Sequence, residues 1–529
     1  MTPGLDRPEA VQFGRIQMLG ATGTVLMAIS ALGVGAQPVH QNPVSGVRVT
    51  GLFARMPTSM LAMCMIGTVA VVLAWLLLGR FVVGGTGKAP AHRISRSQLD
   101  RTLLLWVTSL IIAPPMFSND VYSYLAQSEI AQRGMDPYVV GPATGLGLDN
   151  VLTNNVPNIW RETPAPYGPL FLWIGRGIAA ITGDNILLGV WSHRLLELGG
   201  MALIVWALPR LARRCGVAPV SALWLGAANP LVLFHLVAGV HNDTLMLGLM
   251  LVGLEYCLRA LPAGIGMETG SPPLLDRRAW ALLGFGAVLI TLAAMVKAPA
   301  IIALGFVGMG LARQWGRRIG PVIRVAIALG VIAALTTLLV CWGSGLGFGW
   351  IYTLGTANAV RSWLSLPTAL GIITGFGGVL LGLGDHTTAL LSLTRPLAMA
   401  AAAFLSLRML VATWTGRLHP IGALGLSVGA IVLLSSVVQP WYLLWAIAPL
   451  AAWATKPAFR GPAVAFSVVV AVLEMPRGAE FAIFQIVEAA CAVVFVSVLF
   501  IAFTRNALPW RYPPGDSSSV PKALRADAA

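Results

Sequence analysis

Pro115-Met116-Phe117-Ser118-Asn119-Asp120-Val121-Tyr122-Ser123-Tyr124 closes an apolar run over 101–116 and sets a carboxylate just beyond it. The side of the membrane given to this stretch fixes the side of every later loop, so its reading decides the fold. Around it, 57% of the 529 residues are hydrophobic and only 10% are charged, with a mean hydropathy of +0.79. Soluble domains carry roughly 25% charged residues. The chain therefore reads as an all-α integral membrane protein.

The formal net charge is +15. Its Lys and Arg residues form short clusters between apolar runs, the pattern of cytoplasmic loops and not of a nucleic-acid-binding patch. Cys64, Cys215, Cys257, Cys341 and Cys491 include no close pair, so neither a zinc site nor a disulfide framework is indicated. The run 16–36 is long and a second apolar run follows, which makes it a retained helix and not a signal peptide.

Apolar runs fall at 16–36, 59–79, 101–116, 186–209, 217–235, 243–261, 279–295, 298–312, 321–341, 396–413, 421–437, 441–455, 461–475 and 482–503. Taken as crossings they predict about fourteen transmembrane helices in a range of about 12–16, although several fall short of the ~20 residues a bilayer core needs. Arg80, Lys88, Arg93, Arg96 and Arg101 against Asp100 place 80–101 in the cytoplasm. The acidic stretch 117–167 then faces outward. The segments 168–182 and 366–383 are read as surface-lying or re-entrant, since full crossings there would invert the sides of Arg210, Arg213, Arg214 and Arg417. The expected architecture is one transmembrane domain over 1–512 with extracytoplasmic loops 117–167 and 342–390. A disordered cytoplasmic tail over 513–529 follows, and both termini are cytoplasmic.

Several polar residues gather on the outward side. Val121, Tyr124, Leu125, Ser128 and Ala131 share one face at helical spacing, which predicts a short amphipathic helix lying on the membrane. Two readings stand for Asp120: with Ser118 or Asn119 it caps that helix, or it is a working carboxylate. Asp136, in Gly134-Met135-Asp136-Pro137-Tyr138, is a turn residue or a site residue. Tyr167 either orients the following helix or lines a sugar site. His193, Arg194 and Glu197 lie at membrane depth, where charge pairs internally or faces a cavity. Arg194 either pairs with Glu197 or holds a phosphate, for which its planar fork is suited. Asp243 is a cap or a site residue beside His241 and Asn242. Lys297 and Arg361 snorkel or contact an anion. Gln439 and Tyr442, in Gln439-Pro440-Trp441-Tyr442, anchor the interface or line a cavity. No P-loop, dinucleotide fingerprint, HExxH or nucleophile elbow occurs.

Two function classes follow, a transferase using a lipid-linked donor and a secondary transporter or flippase. A transporter predicts repeats and broken helices at midplane, whereas here no halves correspond and the polar residues concentrate outside. Phe117-Ser118-Asn119-Asp120-Val121-Tyr122-Ser123-Tyr124-Leu125-Ala126-Gln127, Gly134-Met135-Asp136-Pro137-Tyr138, Pro166-Tyr167-Gly168-Pro169-Leu170 and His241-Asn242-Asp243-Thr244-Leu245-Met246 resemble the polyprenol-phosphomannose-dependent alpha-1,6-mannosyltransferases of mycobacteria and corynebacteria. These are GT-C glycosyltransferases, so the resemblance implies a GT-C-type bundle in the plasma membrane with an outward active site. It implies that Asp120 is the catalytic carboxylate and that the donor is polyprenyl-phosphate-mannose. The implied acceptor is a mannosylated phosphatidylinositol or mannan, extended by inverting alpha-1,6 transfer into the lipomannan and lipoarabinomannan backbone. Arg194, Lys297 and Arg361 are then candidates for the donor phosphate. Tyr122, Asp136, Tyr167, His193, His241, Asn242, Asp243, Gln439 and Tyr442 are candidates for sugar or acceptor contacts, with no metal or other cofactor required. Asn242-Asp243 is closer to the initiating paralogue. Asn119 stands where the family commonly has a basic residue, so a supporting charge must come from elsewhere.

Overall fold

A computed structural model describes residues 4–83, 94–261, 276–356, 362, 364–476 and 481–510, and all regular structure among them is helical. Seven helices are long and apolar enough to cross a membrane: Arg7–Val34, Pro57–Val83, Ile186–Arg214, Arg277–Ala294, Ile319–Ser344, Thr387–Trp414 and Ile483–Thr504. Val232–Ala238 and Asp243–Ala260 make an eighth if the pair, bent by 109° at a short break, is counted as one span. The chain is a multi-pass membrane protein, but the expected fourteen crossings are corrected to seven or eight among the described residues.

Hydropathy measures apolar length and is blind to breaks. The run 217–235 folds as Pro219–Gly226, eight residues, and resumes after Asn229-Pro230 as the wide π turn Val232–Ala238. The run 441–455 holds the eleven-residue helix Leu443–Trp453. At 1.5 Å per residue that helix reaches roughly 16 Å, about half of a bilayer core. Pro299 turns the start of 298–312 into a 3-10 turn. The run 101–116 belongs to Arg96–Ile112, whose first turns carry Arg96, Asp100 and Arg101. The segments 168–182 and 366–383 form Pro169–Thr182 and Leu366–Leu380, helices of 14 and 15 residues. The tail 513–529 lies outside the described residues.

The helix expected after Asp120 is present as Asp120–Gln132, yet every residue from Val121 to Ala131 is buried. It is an internal element and does not lie on a surface. The face carrying Tyr124, Leu125 and Ser128 packs on Pro169–Thr182 and Ile186–Arg214, while Ser123 and Gln127 face a cavity, a partner set that periodicity alone does not reveal.

Two close approaches bring the site together. Gly200 and Gly248 face each other, and a Cβ on Gly248 would stand 2.6 Å from the Gly200 carbonyl oxygen, so helices Ile186–Arg214 and Asp243–Ala260 touch backbone to backbone. Gly168 is pressed on Met295, with Gly168 N–H donating to the Val296 carbonyl at 3.0 Å and Leu170 N–H to the Met295 carbonyl at 3.0 Å. That contact docks Tyr167 beside Lys297.

Candidate active site

Two short loops build the site. Phe117 has φ +65° and Val240 has φ +56°. Side chains this bulky rarely adopt the left-handed region, and the cost of order 1–3 kcal/mol is met only where surroundings fix the backbone. Here Met116 N–H donates to the Ala238 carbonyl at 3.2 Å, Phe117 N–H donates to the Pro476 carbonyl at 2.8 Å, and the Phe117 ring stacks on Phe234 at 5.2 Å. Three residues after each strained position an aspartate opens a helix, Asp120 in one case and Asp243 in the other, with Asn119 and Asn242 as the caps. Asp120 is therefore the first helical residue and not the cap. Ser118 Oγ accepts its backbone N–H at 3.1 Å.

The Asp120 side chain keeps 27% of its surface exposed, and His241 Nδ1 stands 3.6 Å from its Oδ2. It faces a cavity of about 470 Å³. Burial pushes its pKa up to about 6, while Lys297 and a hydrogen bond from Ser118 pull the other way and Asp243 adds to the rise. At neutral pH the carboxylate is mostly ionised and close to its transition, the condition that suits a general base.

Asp243 is fully buried, receiving Lys297 Nζ on Oδ2 at 2.8 Å and Trp445 Nε1–H on Oδ1 at 2.6 Å. Burial disfavours the Lys297 charge, but Asp243, Tyr442 and Asp120 outweigh it and hold the pKa above its ordinary value. The ammonium also lies over the rings of Tyr442 and Trp445, at 4.9 and 5.5 Å, and these two rings stack at 4.2 Å. Lys297 is thus a fixed cation on the same cavity as Asp120. Ser123, Gln127, Tyr167, Gln439 and Tyr442 supply further polar lining, and Ile301, Ile302, Leu354, Ile431 and Val437 supply apolar walls. Among the described residues no three His, Cys, Asp or Glu side chains gather as a metal site.

The structure brings Asp120, Lys297, Tyr167, Gln439 and Tyr442 to this cavity. His241 touches Asp120 from behind, stacked on Trp441 at 3.7 Å. The remaining candidates lie elsewhere. Arg194 is buried away from the cavity and donates through Nη1 to the Ile111 and Ala113 carbonyls, at 2.5 and 2.8 Å, closing the end of helix Arg96–Ile112. It pairs with neither Glu197, whose Oε2 accepts Leu245 N–H at 3.1 Å, nor the Asp120 cavity. Tyr122 donates to the Ala36 carbonyl at 2.6 Å. Asp136 accepts Tyr138 N–H at 2.8 Å and holds its own turn. His193 packs among Tyr124 and Phe171. Asn242 is fully buried behind Tyr124. Arg361 lies outside the described residues.

Trp445, Trp441, Gln127 and Ser123 were not singled out as site residues. A signal for Trp445 exists in the sequence, because Tyr442 and Trp445 are three apart and share a helical face. Gln127 and Ser123 carry none beyond their place on a helix whose surroundings hydropathy misreads.

Residues 17–313 match the family described as alpha-(1->6)-mannopyranosyltransferase, N-terminal domain, and residues 367–502 match the MptB C-terminal domain. Together with the helical membrane architecture, these matches define a membrane glycosyltransferase of the GT-C kind. The chain is 54% identical over 98% of its length to a probable alpha-(1->6)-mannopyranosyltransferase of Mycolicibacterium smegmatis, covering 93% of that protein. It is 53% identical over 96% of its length to an alpha-(1->6)-mannopyranosyltransferase of Mycobacterium tuberculosis, covering 90%. Identity to alpha-(1->6)-mannopyranosyltransferase B of Corynebacterium glutamicum is 41% over 90% of this chain and 79% of that one. The chain belongs to the alpha-(1->6)-mannopyranosyltransferase family and is an enzyme, which sets aside the transporter alternative. Its cavity straddles the two matched regions, with Asp120, Tyr167 and Lys297 from the first and Gln439, Tyr442 and Trp445 from the second.

Proposed function

We propose that this enzyme moves mannose from polyprenyl-phosphate-mannose to the 6-hydroxyl of a mannan acceptor on the outer face of the plasma membrane, extending the backbone of lipomannan and lipoarabinomannan. The observation that carries the reading is the cavity shared by Asp120 and Lys297, a part-exposed carboxylate and a fixed ammonium with apolar walls beside them. Asp120 takes the proton from the acceptor hydroxyl as its oxygen bonds to the anomeric carbon. The bond from that carbon to the phosphate oxygen breaks, and polyprenyl phosphate leaves with the electron pair. Attack from the opposite face turns a beta-linked donor into an alpha-linked product.

The leaving group is already anionic and needs no acid. Its growing charge falls to Lys297, whose position is set beforehand by Asp243, so no reorganisation is needed as charge develops. An ammonium has three donors, and the contact with Asp243 engages only part of them. The supporting cation that Asn119 cannot supply comes from Lys297 in this reading. Tyr167, Gln439 and Tyr442 are placed to contact sugar, and the apolar walls to take the first isoprene units. Asn242-Asp243 supports the initiating role, with a mannosylated phosphatidylinositol or short mannan as acceptor.

The test is transfer from polyprenyl-phosphate-mannose to defined acceptors of increasing length, using purified enzyme in liposomes. Wild type is expected to form alpha-1,6 product and Asp120→Asn to form almost none while remaining folded. Normal turnover by Asp120→Asn would sink the base assignment, and a preference for long acceptors would sink the initiating role.

A further inference from the structure

One short segment, Glu474-Met475-Pro476, which follows helix Pro457–Leu473, touches both the strained Phe117 loop and the π turn Val232–Ala238 that leads into the Val240 loop. The Pro476 carbonyl accepts Phe117 N–H at 2.8 Å, three residues ahead of Asp120. Glu474 Oε2 stands 2.6 Å from Nε2 of the fully buried His235. Glu474 does not line the cavity and the reaction as written above gives it no task. The pair is in close contact without the alignment of a hydrogen bond, and a carboxylate oxygen set that near a buried ring nitrogen still restricts where the imidazole can sit.

From His235 the chain of contacts returns to the cavity. Its carbonyl accepts His241 N–H at 3.4 Å. Both rings lie against Trp441, at 5.5 Å for His235 and 3.7 Å for His241, the latter nearly parallel at 27°. His241 Nδ1 then faces Asp120 Oδ2 at 3.6 Å. An approach of about 0.5 Å makes that contact a hydrogen bond, and such bonds tighten when substrate closes a site.

We propose that Glu474 is a positioning residue for mannosyl transfer: by holding His235 it sets His241 against one oxygen of Asp120, leaving the other aimed at the acceptor hydroxyl. The proposal rests on Asp120 being the base.

Glu474→Ala is expected to lower kcat roughly tenfold to a hundredfold, the range for a reacting group displaced by up to about 1 Å. KM for donor and acceptor and the thermal unfolding midpoint in detergent should be little changed. Glu474→Gln, which keeps an acceptor oxygen at the same reach, should recover most of kcat. His235→Ala should lower kcat similarly, and the double variant should be no slower than the slower single one, since residues acting through one contact are not additive. If Glu474→Ala does not fold, His235→Gln carries the same test, with kcat falling and KM kept. Wild-type kcat in Glu474→Ala, a rise in KM without loss of kcat, or additive losses in the double variant would overturn the proposal. The two readings fail separately: an inert Asp120→Asn beside a fully active Glu474→Ala removes only the positioning role, whereas an active Asp120→Asn removes the base.

Discussion

Phe117-Ser118-Asn119-Asp120 and Val240-His241-Asn242-Asp243 are the same local device used twice, with opposite outcomes. In each a bulky apolar residue is held in the left-handed region, an asparagine occupies the N-cap position without a side-chain capping bond, and an aspartate opens the helix, where the positive end of the helix dipole favours a carboxylate. Asp243 then loses all exposure and gives both oxygens away, to Lys297 and Trp445. Asp120 stays part exposed with His241 near its Oδ2, and burial lifts its pKa to about 6. The local sequence sets a carboxylate at a helix start, and the tertiary neighbours decide whether it becomes a strut or a base.

That contrast can be broken by exchanging the two losses. Asp120→Asn should reduce kcat by at least about a hundredfold, the lower end of general base contributions, with the thermal midpoint unchanged. Asp243→Asn should do the reverse in kind. It leaves the Lys297 ammonium part buried without its anion, at a cost near the lower end of the 3–5 kcal/mol for a broken buried pair, roughly 3 kcal/mol. Denaturation in detergent reads that loss, and transfer falls as Lys297 loses its seat. A stable but inert Asp243→Asn beside an unfolded Asp120→Asn would reverse the two roles. Trp445→Phe keeps the ring and removes one hydrogen bond to a charged group. About 1.5–3 kcal/mol of stability is expected to go with it, with a smaller fall in kcat than in Asp243→Asn.

The sequence showed the helical class and the membrane setting plainly, because both follow from composition. The number of crossings was not legible, since Asn229-Pro230 breaks the apolar run 217–235, the chain bends sharply ahead of Asp243, and the break at Gln439-Pro440 leaves only an eleven-residue helix in 441–455. Those same breaks carry the site. His241, Asp243 and Trp441 stand where helices stop and restart, so what misled the count marked the chemistry. Arg194 shows the converse limit. Its type and depth fit a phosphate ligand, and only the Ile111 and Ala113 carbonyls, more than eighty positions away in the chain, show where its nitrogen goes. Lys297 was readable as an anion contact, while its pairing with Asp243 across 54 residues was not.

The smallest effect expected is a displacement of the acid limb of activity, and it probes the electrostatic link between the two loops. A base must be ionised, so kcat/KM in the wild type should fall as pH drops through about 6, the value to which Asp120 is pushed. Lys297 lowers that pKa by favouring the carboxylate, and Asp243 raises it by the smaller opposing effect. Lys297→Met removes the lowering influence and leaves the Asp243 anion in place, so the limb should move to higher pH. Adding Asp243→Asn removes the raising influence as well and should bring the limb part of the way back, still above its wild-type position because the lysine effect is the larger. Full pH profiles of kcat/KM for the three proteins read this ordering directly. A limb that stays fixed in Lys297→Met, or moves to lower pH, would show that the titrating group is not Asp120 or that the two loops do not sense each other. The Asp243 loop would then be a scaffold alone, and its cation would act on the departing phosphate without tuning the base.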